Sequence, residues 1–86
     1  MSVISVFLGI VIRVFQRDHN PPHIHVQYGE HKALLEISTG KTMAGSLPPR
    51  IRRIVLEWLL YRKAEVLKSW QEAQEYKTPS RVRPLE

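Results

Sequence analysis

The side chains able to do chemistry crowd into one stretch, "RDHNPPHIHVQYGEHKALLEI", residues 17 to 37. All 4 histidines of the chain lie there, at positions 19, 23, 25 and 31. His19, His23 and His25 surround the pair Pro21–Pro22, and Asp18 precedes them. Imidazole changes charge near neutral pH and is the commonest metal ligand. Three roles therefore suit the cluster. His23 and His25, two apart on a strand, stand ~6.6 Å apart on one face at ~3.3 Å per residue, so they can share a metal. The third ligand would come from the loop, as His19 or Asp18. Alternatively, two imidazoles poised differently can take one proton and give another, as cleavage of RNA at the 2′-OH requires. Glu36, facing His23 across a hairpin, would then hold a ring, and Arg13 would stabilise the phosphorane charge. In the third role the rings brace a rigid proline loop, in which one X–Pro bond could be cis. His31 belongs with this structural role, beside Tyr28 on the core side.

The elements that must position these groups follow from side-chain period. Residues 3–7 are β-prone and end at Gly9. "IVIRVFQ" alternates, with Ile10, Ile12 and Val14 on one face and Val11, Arg13 and Phe15 on the other. "DHNPP" cannot hold a ladder, because proline lacks an N–H and Asn20 is pushed to an extended conformation. "HIHVQY" and "HKALLEI" flank "GE", the signature of a two-residue type II′ turn. That turn sets a register: Tyr28 opposite His31, Gln27 opposite Lys32, Val26 opposite Ala33, His25 opposite Leu34, Ile24 opposite Leu35 and His23 opposite Glu36. Ile24, Val26, Tyr28, Ala33, Leu35 and Ile37 then share the core face. His23, His25, Gln27, Lys32, Leu34 and Glu36 share the other. "TMAGS" makes a short fifth strand.

"LPPR" starts a helix, since proline costs nothing in the first turn. Ile51, Ile54, Val55, Trp58 and Leu59 form its apolar stripe. The stripe loses phase at "YRKAE" and resumes at Val66, Leu67, Trp70 and Ala73, which predicts two helices, 48–62 and 64–75. The expected fold is α+β: an antiparallel sheet of four or five strands over residues 3–46, with two helices packed on one face. Residues 1–76 form the single domain, and 77–86 a basic tail that can lie back on the sheet.

Bulk properties narrow the function classes. The 86 residues suit one domain with a modest core. With no cysteine, disulfides, thiolate ligands and cysteine nucleophiles are excluded, and a reducing cytoplasm fits. The N-terminal apolar run lacks the flanks of a signal peptide, and Arg13 cuts it short of a membrane span. Thirteen Lys and Arg against eight Asp and Glu leave a formal charge of +5, which suits a polyanion or an acidic partner. Arg13, Arg50, Arg53 and Arg81 are the expected phosphate contacts. Basic residues in a first helical turn oppose the dipole, which favours an anion there. An exposed sheet edge would make a homodimer easy.

The run "FLGIVIRVFQRDHNPPHIHVQYGEHKALLEISTG…LPPRIRRIVLEWL…W" closely resembles the small bacterial proteins grouped as domain of unknown function 4160. The resemblance covers roughly residues 3 to 75, and "DHNPPHIH" is its most specific element. Ile24 stands where many relatives have phenylalanine, and Val6 where many have arginine. Relatives are commonly encoded beside a second small protein, of the domain of unknown function 2442 type. The resemblance thus implies the toxin of a type II toxin–antitoxin module, neutralised by an acidic antitoxin-like neighbour. Asp18, His19, His23 and His25 match the family's motif.

The expected protein is therefore a cytoplasmic RNA-binding or RNA-cleaving toxin, with His19, His23, His25, Asp18 and Glu36 as its catalytic group. It would work without a metal. If zinc or another divalent ion binds, His19, His23 and His25 are the expected ligands. The rival readings are a non-catalytic protein-interaction module with a structural His/Pro loop, and a metal-dependent hydrolase.

Overall fold

The computed structural model describes residues 2–85. Five strands come first: β1 (Ser2–Phe7), β2 (Ile10–Val14), β3 (His23–Tyr28), β4 (His31–Glu36) and β5 (Thr42–Gly45). Each pairs antiparallel with the next, giving one sheet in the order β1-β2-β3-β4-β5. A single helix, α1 (Pro49–Gln74), follows.

The β3–β4 hairpin has all six expected pairs, from Tyr28 opposite His31 to His23 opposite Glu36. Gly29 has φ +57° and Glu30 is not left-handed, which is the type II′ pattern rather than type I′. Ile10, Ile12, Val14, Ile24, Val26, Ala33, Leu35 and Ile37 are all buried on the face covered by α1. Slipping this hairpin by one residue would bring His23 and His25 into that core, which is why the register holds.

The β1–β2 connection is also two residues long but of a different type. Leu8 has φ +52° and Gly9 φ +78°, so both central residues are left-handed, as a type I′ turn requires. Leucine pays a steric penalty there, and Leu8 is 67% exposed, so no packing offsets it. Leu8→Asn should raise stability by about 0.5–1 kcal/mol. Urea unfolding followed by tryptophan fluorescence should show a higher midpoint at unchanged slope. An unmoved or lower midpoint contradicts the strain at Leu8.

The two expected helices are one, unbroken through Arg62 and Lys63. The apolar stripe does not lose phase. Arg62 occupies its missing position, between Trp58–Leu59 and Val66, with only 18% of its side chain exposed. Its aliphatic stem supplies the apolar contact there, and its guanidinium lies 4.0 Å from the Glu65 carboxylate. Reading Arg62 as purely polar created the apparent break.

Residues 77–85 are irregular and bound to the domain. Val82 is buried, and its N–H donates to the Ile4 carbonyl at 2.7 Å. The Trp58 indole N–H donates to the Arg83 carbonyl, and the Ser69 hydroxyl to the Ser80 carbonyl. The tail thus covers the outer edge of β1. A bulge lies in β1 between Val3 and Ser5, and Ile4 and Ser5 are both buried there.

Candidate functional site

The sheet face turned away from α1 carries the polar set expected from the hairpin register. β2 adds to it, because Arg13 lies directly opposite His25 and Val11 opposite Gln27. A cleft of about 500 Å³ opens on this face, lined by Arg13, Phe15, His25, Gln27, Lys32 and Leu34. β5 closes one side with Ala44 and Gly45. Gly45 has φ +73°, and a Cβ there would run into the Lys32 carbonyl, so only glycine lets β5 lie this close to β4.

The histidine cluster stands at the β2–β3 side of the cleft. The chain leaves β2, turns at Arg17 with φ +57°, and returns through Asn20–Pro21, a cis peptide bond. This return brings Asp18 over the start of β3. One oxygen, Asp18 Oδ2, lies 3.0 Å from His23 Nε2 and 2.9 Å from His25 Nε2. The two rings are 5.2 Å apart between centroids. The ligand-capable atoms of Asp18, His23 and His25 all lie within 4.8 Å of one another.

Several contacts fix this arrangement. His23 Nδ1 is 2.9 Å from the Pro21 carbonyl oxygen. His25 stacks on Phe15, with centroids 4.0 Å apart. The Asp18 N–H donates to Gln74 Oε1, and Gln74 Nε2 donates to the Phe15 carbonyl. The end of α1 therefore clamps both sides of the loop. Arg17 Nε donates to the Tyr76 hydroxyl beside this clamp.

Burial divides the rings. The His23 side chain is 4% exposed, Asp18 16% and His25 27%. A molecule in the cleft reaches His25 first, with His23 behind it. Arg13 is held beside His25 by donating from Nη1 to Gln27 Oε1 at 2.9 Å.

The remaining expected site residues lie apart from the cluster. His19 is exposed and falls outside the three-residue group, so Asp18 replaces it in the ligand set. Glu36 faces His23 across the ladder, but its carboxylate accepts from the Thr39 hydroxyl, and Asp18 holds the rings instead. His31 pairs with Tyr28 on the core side of the hairpin, as expected, but at the exposed end of that face. Arg50 and Arg53 are exposed at the start of α1, Arg81 is exposed in the tail, and none of them lines the cleft. Two positioning residues escaped the sequence reading. Phe15 shares a face with Arg13 by simple alternation, and that signal was available. Gln74 carries no local signal, since its partners are 56 and 59 positions away.

The family model "Domain of unknown function (DUF4160)" matches residues 9–71. This protein belongs to the DUF4160 family. The match spans β2 to β5, the Asp18–His23–His25 cluster and most of α1 of this DUF4160 chain, and leaves β1 outside. No curated protein matches the chain, and no solved structure does. Among the described residues of this DUF4160 protein, no helix is long and apolar enough to cross a membrane.

Proposed function

We propose that this protein is the toxin of a bacterial type II toxin–antitoxin module, binding RNA in the cleft and cleaving it beside the histidine cluster in the cytoplasm. The observation that carries the reading is the direct pairing of Arg13 with His25 at the cleft. A cation there sits next to a ring whose Nε2 faces a carboxylate. A phosphodiester held by Arg13 and Lys32 would lie against that cluster. The Phe15–His25 stack offers an aromatic surface to a base, and single-stranded nucleic acid is held by this pairing of cationic groove and stacking platform. The charge of +5 adds a sequence-independent attraction. Arg50, Arg53 and Arg81 contribute to that field from outside the cleft. The acidic antitoxin-like partner would compete for the same positive surface.

Induced expression in bacteria should arrest growth, and purified protein should bind and cut single-stranded RNA at low salt. Arg13→Gln should weaken binding roughly tenfold while sparing the fold, which circular dichroism can verify. His25→Ala should slow cleavage at least ~100-fold, the range set by losing one positioned reacting group. A wild-type protein that leaves growth and RNA untouched removes this reading. The chain would then act as a non-catalytic interaction module.

A further inference from the structure

The His23 ring poses a hydrogen-bonding problem. Its Nδ1 faces the Pro21 carbonyl at 2.9 Å. A carbonyl oxygen only accepts, so Nδ1 carries a hydrogen. In the neutral ring, Nε2 then presents a lone pair. That lone pair points at Asp18 Oδ2, another acceptor, from 3.0 Å. Two lone-pair atoms at this separation need something between them, either a hydrogen carried by one of the two or a metal ion. His25 Nε2 converges on the same oxygen from 2.9 Å.

The spacing suits an ion. With metal–ligand bonds of about 2.1 Å, neighbouring ligands at a right angle stand about 3.0 Å apart, and tetrahedral neighbours about 3.4 Å. The two observed nitrogen–oxygen separations, 3.0 and 2.9 Å, match the right-angle case. Two histidines and one carboxylate arranged in this way leave further coordination positions open.

The surroundings are those of a ligand shell. The bond from Nδ1 to a carbonyl fixes the tautomer and aims Nε2, which is how metal-bound histidines are ordinarily oriented. Phe15 packs on the His25 ring, and Gln74 holds the Asp18 backbone. His23 is buried, while Asp18 is partly open to solvent and His25 lines the cleft, so an ion could enter and keep an accessible side.

We propose that Asp18, His23 and His25 bind one divalent transition-metal ion through Oδ2, Nε2 and Nε2. Its open positions would face the cleft beside Arg13. The site does not depend on RNA being the substrate, and its test uses no RNA.

Full-length protein stripped with chelator should be titrated with Co²⁺ and Mn²⁺. Isothermal titration should show one equivalent bound per chain. Proton NMR should show the His23 and His25 ring signals broadened first and most strongly by the ion, and those of His31 less. Asp18→Asn, nearly isosteric, and His25→Ala, on the more exposed ring, should each weaken binding at least tenfold, as loss of a ligand or its support does. His31→Ala should leave it unchanged. Absence of stoichiometric binding by wild-type protein overturns the proposal and leaves a shared hydrogen between His23 and Asp18 as the link. Broadening of His19 or His31 before His23 and His25 overturns it equally. Because the wild-type titration and the NMR signals need no variant, misfolding of one variant leaves the test intact.

Discussion

Trp58→Ala should lose about 3–5 kcal/mol of stability, the usual cost of emptying a large aromatic site in a core. Trp58 is fully buried and is the largest such side chain in the protein. Its ring meets Phe7 at 5.5 Å between centroids, joining α1 to β1. Its N–H also anchors the tail through the Arg83 carbonyl at 2.8 Å. One substitution therefore opens a cavity, frees the tail and bares the edge of β1. Small domains keep about 5–15 kcal/mol in total, so the variant should be substantially unfolded in mild urea. Trp58→Phe keeps most of the apolar volume and loses the N–H bond, so it should cost less than half as much. Urea unfolding followed by far-ultraviolet circular dichroism reads both. A Trp58→Ala midpoint within error of wild type contradicts this account of the core.

The second large effect belongs to the cluster. Asp18→Ala should cost about 2–4 kcal/mol, because His23 stays buried with Nε2 facing no partner. The penalty comes from the stranded ring, so removing that ring should remove most of it. In a His23→Leu background, Asp18→Ala should cost at most about 1 kcal/mol. A double-mutant cycle in urea, without added metal, isolates this coupling. Equal costs in the two backgrounds would mean that Asp18 acts through its loop contacts alone. The comparison is sharp because the Gln74 bond to Asp18 uses the backbone N–H, which alanine retains. His25→Ala should be much milder for stability, since that ring is partly exposed and stacks on Phe15 at the surface.

These two results probe different layers. Trp58 tests the α1-facing side of the sheet, whose packing makes the domain stable. Asp18 tests the opposite side, where polar groups are held in place at a cost. The sheet separates them: alternate residues of β3 serve the core through Ile24 and Val26, and the cluster through His23 and His25.

What was legible in the sequence was local. The β3–β4 register needed only alternation with period two and a glycine able to take a positive φ, both contained within fourteen residues, 23 to 36. That register put His23, His25, Gln27 and Lys32 on one face, and β2 alternation put Arg13 and Phe15 with them. The helix start was equally legible from its prolines. The helix interior misled, because Arg62 serves as an apolar residue through its stem, and a polar letter conceals that use. Only the tertiary structure decided which loop group joins the rings. Asp18 and His19 are adjacent in the chain and equally suitable by type. Gln74, 56 positions away, holds the Asp18 backbone and directs that carboxylate inward, while His19 is left in solvent. A loop without its own ladder takes its shape from what it packs against, and here that partner is the far end of α1.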